Sequence, residues 1–226
     1  MEARVIDAVA WDIDGTLIDS EPLHHRSLLE ASASFGVELK DLPPLAFRGV
    51  HMDEVWLLVR DRLPAALDRA VWIEAIEHRY VAGVGQLQPI AGATVTLARL
   101  HRANVVQICV SNSSRRIVDA NLMALGAAPY LRFSISLDDV ANGKPNPEPY
   151  AQAAARLGVA ASRLLAVEDS WTGLASARGA GLRTAAIARD SDLEADWQID
   201  GLTEVADIVL SGRRFAPEHL PQQPAR

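Results

Sequence analysis

The stretch WDIDGTLIDSE, residues 11–21, places two carboxylates, Asp12 and Asp14, where an apolar run gives way to a turn at Gly15. In an open α/β sheet, ligands bind at the carboxyl ends of the strands, which is where such a pair would lie. Two carboxylates in different surroundings can divide acid and base roles between them. The spacing therefore predicts a chemically active strand end at residues 12–14.

Three further polar clusters are expected at the same edge. Ser111–Ser114 follow the apolar run VVQICV, and residues 168–170, EDS, follow LLAV. The third cluster is GKPNPEP, whose prolines exclude an ordinary helix or a central strand around Lys144. Taken singly, such residues are most often turn or surface residues. Four clusters meeting at one edge instead favour a functional site.

The charges of this edge predict a bound cation. Asp12, Asp14, Glu168 and Asp169 carry −4 together, and Lys144 supplies +1. Like charges packed closely in a partly desolvated cleft are strongly unfavourable. If one carboxylate holds a proton, for which Asp14 is our candidate, a charge of −2 remains, and a divalent cation balances it. Oxygen-only ligands favour Mg²⁺, which binds through one or two carboxylates and a substrate phosphate.

The same residues predict phosphoryl transfer. Asp12 can attack a phosphorus atom and form an aspartyl-phosphate intermediate. The phosphoryl oxygens would be held by Mg²⁺, Lys144, the Ser111 hydroxyl and the Asn112 amide. Asp14 would protonate the leaving alcohol and later accept a proton from the water that cleaves the acyl phosphate. The predicted partner is therefore a small phosphorylated substrate.

The rest of the chain predicts the elements that hold these residues. From about residue 90 onward, short apolar runs alternate with helical patterns, which is typical of βαβ units and a parallel sheet. The sequence therefore predicts an α/β fold with a doubly wound, Rossmann-like parallel-sheet core. The runs predicted as strands are VIDAVAWDI, VVQICV, LRFSIS, LLAVE, LRTAAIA and ADIVL, the last at residues 206–210.

Residues 19–88 interrupt this alternation. Apolar side chains there recur at helical spacing, as from Leu23 to Phe35, with no strand between the helical segments. Glu21 and Pro22 are suited to open the first of these helices. The predicted domains are an α/β core of residues 1–18 and 89–226, an inserted α-helical cap of residues 19–88, and a loose Pro-rich tail at 213–226.

Composition excludes several classes of protein. With 226 residues, 49% of them hydrophobic, the chain can bury a large core. Its net charge of −7 and lack of basic runs argue against nucleic-acid binding. No apolar stretch approaches the ~20 residues of a membrane helix, and no secretory leader is evident. The single cysteine, Cys109, lies in an apolar run, so we predict a cytoplasmic protein without a disulfide framework.

Four motifs resemble those of the haloacid dehalogenase superfamily in order and spacing: DIDGTLIDSE, VSNSS, GKPNPEPY and VEDSWTGLASARGAG. The resemblance spans roughly residues 5–210. Within the superfamily, the chain resembles the branch that contains β-phosphoglucomutases and small-molecule phosphatases. That branch carries a helical cap between the first two motifs. It implies Asp12 as nucleophile, Asp14 as acid/base, Ser111 and Lys144 as phosphate ligands, and Mg²⁺ bound by the Asp12 carboxylate, the Asp14 backbone carbonyl and Asp169, with Glu168 close by.

Departures from the family pattern bear on the substrate. Where the mutases carry cations in the cap, this chain has Met52 and Ala82. A mutase must hold a second phosphoryl group, so their loss favours plain hydrolysis of a sugar or sugar-acid phosphate. A β-phosphoglucomutase-like mutase is the alternative enzyme. A catalytically idle binding or regulatory protein is the alternative outside enzymes.

Two cap residues are candidates for substrate binding. His24 lies where the mutases have a histidine near the cap hinge, and Arg48 lies in a loop expected to face the cleft. The alternative for both is an ordinary exposed surface residue. Trp171, which follows the last polar cluster, is expected to pack. The sequence predicts no oligomeric state.

Overall fold

The structure, a computed structural model, describes residues 6–42, 52–187 and 193–213. Its strands are β1 Ala8–Trp11, β2 Ile18–Asp19, β3 Gln88–Pro89, β4 Val106–Val110, β5 Ser134–Ile135, β6 Leu164–Glu168, β7 Arg183–Ile187 and β8 Trp197–Ile199. Six of them form a parallel sheet in the order β5, β4, β1, β6, β7, β8. The strand order changes direction around β1, which lies at the centre with β4 on one side and β6 on the other.

Helices connect the strands in the alternation that the sequence predicts. The α-helices are α1 Glu21–Ser34, α2 Met52–Val59, α3 Arg69–Gly83, α4 Ala93–Arg102, α5 Arg115–Leu125, α6 Glu148–Leu157, α7 Trp171–Gly179 and α8 Thr203–Arg213. Parallel neighbours joined through helices are the doubly wound arrangement. The predicted α/β class and Rossmann-like core are therefore confirmed.

Both faces of the central sheet are buried. Along β1, Val9 and Trp11 point into one apolar cluster, and Ala8 and Ala10 point into another, since successive side chains of a strand face opposite ways. Parallel sheets covered on both faces have continuous apolar strands, and all four residues of β1 are buried. This packing fixes the carboxyl end of β1 between those of its two neighbours.

The first three helices form a separate apolar cluster. Leu28, Trp56 and Trp72, one from each of α1, α2 and α3, are buried in it. At the junction with the core, β2 pairs with β3 as a short antiparallel ribbon. The ribbon lies at the positions where the cap was predicted to begin and end, and the division at residues 19–88 stays a prediction.

The prediction of a strand at residues 206–210 is wrong. The segment lies inside α8, and the sixth strand of the sheet is β8. Leu202, Val205, Ala206 and Val209 are the buried residues here, and their spacing is that of a helix face. A five-residue apolar run is too short for its own pattern to separate a buried helix from a strand.

The predicted tail lies almost entirely outside the described residues. Arg213 ends α8, and residues 214–226 lie beyond the last described range. Within residues 6–42, 52–187 and 193–213, none of the helices has the length and apolar character required to cross a membrane.

Candidate active site

The carboxyl ends of three adjacent strands carry the predicted residues. Asp12 directly follows β1, Ser111 directly follows β4, and Glu168 is the last residue of β6. Because β4 and β6 both pair in parallel with β1, their carboxyl ends lie at the same edge of the sheet. The structure therefore brings these three polar clusters together, as predicted.

Lys144 joins this edge from the loop before α6. Its Nζ lies 2.9 Å from Oδ1 of Asp12 and 2.6 Å from Oε1 of Glu168, and donates a third bond of 2.8 Å to the carbonyl oxygen of Val110. The Lys144 side chain is 3% exposed, so its three donors are all satisfied inside the protein. Tyr150 donates a 2.5 Å hydrogen bond to the same Glu168 oxygen.

One ammonium group does not neutralise this pair of carboxylates. Burial, and then the charge of Glu168, raise the pKa of Asp12 to about 7, although Lys144 acts in the opposite direction. Burial also raises the pKa of Glu168 against the effect of Lys144. Burial disfavours the charged form of Lys144, but Asp12 and Glu168 outweigh it and raise its pKa. Lys144 is therefore a permanent cation, and negative charge remains in excess.

The acidic residues at this edge fit a divalent cation. Carboxylate oxygens of Asp12, Glu168 and Asp169 lie within 4.8 Å of one another. With Lys144 the group carries −2, and oxygen donors of this kind suit Mg²⁺ or Ca²⁺. Both oxygens of Glu168 already accept hydrogen bonds, Oε1 from Lys144 and Tyr150 and Oε2 from Ser170. Asp12 and Asp169 are therefore the carboxylates suited to hold the ion, with Glu168 beside them.

The Asp14 side chain lies at the same edge but faces the cap. Its Oδ1 accepts a 2.7 Å hydrogen bond from the Ser20 hydroxyl and a 2.9 Å bond from Nδ2 of Asn121. Nε2 of His24 lies 3.3 Å from the same oxygen. Asp14 is not among the three acidic side chains that fit a metal ion, and a metal role for its backbone carbonyl stays a prediction.

The second oxygen of Asp14 is bound by the loop after β4. Ser113 donates to Oδ2 at 2.8 Å and Ser111 at 3.3 Å. Burial favours the neutral form of Asp14, but the hydrogen bonds from His24, Ser20 and Ser113 outweigh it and hold its pKa well below the usual value. A carboxylate with this many donors stays ionised.

These pKa directions bear on the proton in the predicted charge balance, for which Asp14 was the candidate. In the metal-free structure the carboxyl with the raised pKa is Asp12, because burial and then the charge of Glu168 act on it, whereas hydrogen-bond donors are concentrated on Asp14. Without a metal ion Asp12 is therefore the more readily protonated of the two, and Asp14 stays ionised.

Ser111 and Asn112 occupy the loop expected to hold a phosphate. Ser111 is 2% exposed and accepts from the backbone N–H of Ser113 at 3.0 Å. The Asn112 side chain is not free to bind a phosphate, because both of its polar atoms are hydrogen-bonded to the backbone of Lys144. Its Nδ2 donates to the Lys144 carbonyl oxygen at 2.9 Å, and its Oδ1 accepts from the Lys144 N–H at 2.7 Å. The side chain of Asn112 therefore fastens the Lys144 loop to the edge of the sheet.

The cap candidates have different outcomes. His24 lies against Asp14, and its ring centroid is 4.3 Å from that of Tyr80. Arg48 lies outside the described residues. Trp171, expected to pack, is instead 61% exposed at the start of α7, whereas Gly173 and Leu174 of the same helix are buried.

Residues of this site that were missed from the sequence include Ser20, which binds Asp14, and three others. Tyr150 and Asn121 bind Glu168 and Asp14 directly, and Tyr80 binds Asn121. Tyr150 lies in the same GKPNPEPY motif as Lys144, and this shared motif is the signal that could have marked it as a site residue. Tyr80 and Asn121 lie in amphipathic helices and carry no local signal.

Two glycines allow the acidic side chains to fit. Gly15 has φ +82°, and a Cβ there would lie 2.3 Å from Oδ2 of Asp169. At Gly173, in the first turns of α7, a Cβ would lie 1.9 Å from Oε2 of Glu168 and 2.0 Å from its Cδ. Both motif glycines are therefore required by the carboxylates that they contact.

Gly173→Ala is expected to destabilise the protein through Glu168. The added methyl group overlaps a buried carboxylate held by Lys144 and Tyr150, and overpacking of this kind costs about 1–3 kcal/mol. The melting temperature is expected to fall by roughly 2–12 °C, at about 2–4 °C for each kcal/mol. Gly201→Ala is the control, since no atom lies within 4 Å of its added Cβ. Equal melting temperatures for the two variants would contradict this account.

Comparison with known proteins identifies the family. Residues 6–181 match the model of a family described as haloacid dehalogenase-like hydrolase. A phosphoglycolate phosphatase of Xanthomonas campestris is 32% identical over 87% of this chain and 91% of its own length. Hexitol phosphatase B of Escherichia coli is 28% identical over 92% and 93%.

A solved structure has the same fold. The CbbY protein of Rhodobacter sphaeroides, a mutant in complex with xylulose-(1,5)bisphosphate, superposes with a TM-score of 0.79 at 28% identity, over 88% of this chain and 96% of that one. The family match covers well over half of the chain, and the four motifs meet at one edge of the sheet as the resemblance implies. The chain therefore belongs to the haloacid dehalogenase-like hydrolases.

Proposed function

We propose that the protein is a Mg²⁺-dependent phosphatase acting on a small phosphorylated metabolite, a phosphorylated sugar or sugar acid. One observation carries the proposal: Asp12 is buried beside Lys144, Glu168 and Asp169, so that a nucleophile, a phosphate-binding cation and a metal-binding group coincide. The names of the relatives, phosphoglycolate phosphatase and hexitol phosphatase, support phosphate ester hydrolysis.

The chemistry begins at Asp12. Its carboxylate attacks phosphorus, the P–O bond to the substrate breaks, and the leaving oxygen takes a proton from Asp14. Water then attacks the phosphorus of the aspartyl phosphate and Asp14 takes up its proton. The bond between phosphorus and the Asp12 oxygen breaks, which frees the Asp12 carboxylate and releases inorganic phosphate. Lys144, the Ser111 hydroxyl and the Asn112 backbone N–H would bind the phosphoryl oxygens. A divalent cation held by Asp12 and Asp169 supplies positive charge to these oxygens when bound.

Asp14 must gain a proton before it acts as an acid. In this structure its hydrogen bonds keep its pKa low. A nearby negative charge raises the pKa of a carboxyl, so an anionic phosphate ester bound next to Asp14 would raise the pKa of Asp14. We therefore place the protonation of Asp14 after substrate binding, which retains the role that the sequence analysis gave it.

The mutase alternative is not favoured. Met52 packs against the apolar cluster of the cap, and Ala82 is exposed and uncharged. Neither supplies the cation that a mutase needs for the second phosphoryl group. The alternative of an idle binding protein is also not favoured, because Asp12, Lys144 and Asp169 are all in place.

A phosphate-release screen over phosphorylated metabolites with Mg²⁺ tests the proposal. Release from sugar or sugar-acid phosphates is the expected result, and no release from any ester contradicts it. For β-glucose 1-phosphate, coupling to glucose-6-phosphate dehydrogenase separates the two enzymes. A sustained dehydrogenase signal that matches substrate loss would favour the mutase.

Mg²⁺ is expected to raise the melting temperature more at pH 8 than at pH 5. In the metal-free folded protein the pKa of Asp12 is about 7, against an ordinary value of 3.8. At a pH between these two pKa values, Asp12 holds a proton in the folded protein that the unfolded chain has released. The contribution of Asp12 to stability therefore falls as the pH rises through this range. Mg²⁺ competes with that proton and therefore binds more tightly at higher pH.

Thermal melts at pH 5, 6, 7 and 8, in Mg²⁺ or in chelator, measure this effect. A hundredfold excess of Mg²⁺ over its Kd adds about 2.7 kcal/mol. Chelator is also expected to abolish phosphate release, and Ca²⁺ to replace Mg²⁺ poorly because its coordination is larger and looser. A Mg²⁺-induced shift that is the same at every pH would exclude Asp12 as a ligand.

A further inference from the structure

Tyr80 crosses from the helices of the cap to the core. It lies near the end of α3, is fully buried, and packs with Leu23 of α1 and Ile117 of α5. Its hydroxyl donates a 2.7 Å hydrogen bond to Oδ1 of Asn121, which lies in α5 and is also fully buried. A side chain of the cap is therefore hydrogen-bonded to a side chain of the core in the interior of the protein.

The orientation of the Asn121 amide follows from its two neighbours. A carboxylate oxygen only accepts, so the group that lies 2.9 Å from Oδ1 of Asp14 is the NH₂ group of Asn121. Its carbonyl oxygen then faces Tyr80, whose hydroxyl must be the donor. Burial and the charge of Asp14 raise the pKa of Tyr80, so the hydroxyl keeps its proton. Each of these hydrogen bonds thus fixes the direction of the next.

The ring of Tyr80 supports a second contact to the same oxygen. The His24 ring lies 4.3 Å from the Tyr80 ring, centroid to centroid, with an angle of 31° between their planes. Nε2 of His24 lies 3.3 Å from Oδ1 of Asp14. Asn121 and His24 therefore both contact Tyr80 and both meet one oxygen of Asp14.

We propose that Tyr80 and Asn121 are positioning residues that hold the Asp14 carboxylate for its acid/base role. The Tyr80 hydroxyl keeps the N–H of Asn121 turned toward Asp14, and that N–H holds Oδ1 of Asp14 in place. The proposal rests on the proposed function for the chemistry of Asp14, whereas the chain of hydrogen bonds does not depend on it. A purely structural bridge between cap and core has no need to end on this carboxylate.

The test uses three variants of the full chain and one control. Tyr80→Phe removes the hydroxyl but keeps the ring against His24. Asn121→Ala removes the amide, and the third variant carries both changes. Tyr130→Phe is the matched control, because Tyr130 lines a cavity at the amino end of β4, opposite the edge that carries Asp14.

Two aryl phosphates of similar shape give the kinetic measurement. Phenolate leaves less readily than 4-nitrophenolate, so phenyl phosphate depends more on a proton donor than 4-nitrophenyl phosphate does. We compare kcat/KM, which reports the steps up to aspartyl-phosphate formation, where the leaving group departs. On phenyl phosphate we expect kcat/KM to fall about three- to tenfold in Tyr80→Phe, the loss of one neutral hydrogen bond, and about ten- to a hundredfold in Asn121→Ala, the loss of a bond to a charged group. On 4-nitrophenyl phosphate both losses are expected to stay below about threefold.

The double variant shows whether the hydroxyl acts through the amide. Its kcat/KM on phenyl phosphate is expected to equal that of Asn121→Ala alone, since a Tyr80 hydroxyl that works through Asn121 has nothing left to act on. Equal losses on both substrates, or losses that add in the double variant, would overturn the inference in favour of a structural role.

A second measurement needs no turnover. In ¹⁵N-labelled protein without Mg²⁺, the side-chain amide signals of Asn121 are identified by their loss in Asn121→Ala. One Asn121 amide proton is hydrogen-bonded to Asp14, and we expect it to resonate downfield and to exchange slowly with water. It is expected to lose both properties in Tyr80→Phe and to keep them in Tyr130→Phe. If the unmodified protein releases no phosphate, the proposed function fails and this measurement alone decides the positioning role. Unchanged Asn121 signals in Tyr80→Phe would overturn it.

Discussion

Asp12→Asn is expected to lower kcat by roughly four to six orders of magnitude, the scale seen when a nucleophile is removed. The amide cannot form the acyl phosphate, so no covalently phosphorylated protein is expected after rapid quenching. Phosphate release and the mass of the quenched protein measure the two effects. Asp19→Asn is the control, since Asp19 is exposed on β2 and lies seven residues further along the chain. Residual phosphorylation of the Asp12→Asn variant would show that another residue is the nucleophile.

The same substitution is expected to leave the fold intact. Oδ1 of an asparagine can still accept from Lys144, and the substitution removes one of three clustered negative charges. In chelator at pH 8 the melting temperature is therefore expected to equal or exceed that of the unmodified protein. The stabilisation by Mg²⁺ is expected to shrink, because Asp12 is one of the two carboxylates suited to hold the ion. A sharp fall in melting temperature would mean that lost folding explains the lost activity.

The sequence predicted the parts of the site that depend on local pattern. A buried strand needs a continuous apolar run, and a polar cluster directly after it must lie at a sheet edge. Asp12, Ser111 and Glu168 follow this rule, and they meet because β1 lies between β4 and β6. The motifs carry the same information, which explains why the fold and the family were both predicted correctly.

The parts that were missed depend on contacts between distant segments. Tyr80 and Asn121 are 41 residues apart, and Asn121 and Asp14 are 107 apart. Their helical patterns reveal that one face is buried but give no information on the polar atom that it meets. For this reason a count of charges predicted the need for a proton and a cation, but gave no information on the hydrogen-bond donors that keep Asp14 ionised in this structure.

Lys144→Met is expected to be the most destabilising of the single changes considered. It leaves the buried carboxylates of Asp12 and Glu168 without their common partner, and breaking a buried ion pair in this way costs about 3–5 kcal/mol. The melting temperature is expected to fall by roughly 6–20 °C in the absence of Mg²⁺. The chain has one other lysine, Lys40, which is 78% exposed and paired with Glu38 at the surface. Lys40→Met is therefore the control, with an expected change below about 1 kcal/mol.

The effect of Lys144→Met is expected to grow with pH. At pH 5 the Asp12 and Glu168 carboxyls, both with raised pKa, can share protons in place of the ammonium. As the pH rises they lose protons and repel each other, so the difference in melting temperature from the unmodified protein is expected to be larger at pH 8 than at pH 5. A difference that is constant from pH 5 to pH 8 would mean that lost packing, not lost charge, explains the instability.

Lys144→Arg separates charge from geometry. Arginine keeps the positive charge but carries a planar, larger head group. The lysine ammonium reaches Asp12, Glu168 and the Val110 carbonyl oxygen from one point that is almost closed to solvent. We expect Lys144→Arg to recover part of the stability at pH 8, because a cation again lies among the carboxylates. We expect kcat to stay far below that of the unmodified protein, because the larger head group cannot reproduce the three contacts of Lys144. Full recovery of kcat would show that a nearby positive charge is sufficient and that the three-point contact of Lys144 has no role in positioning Asp12.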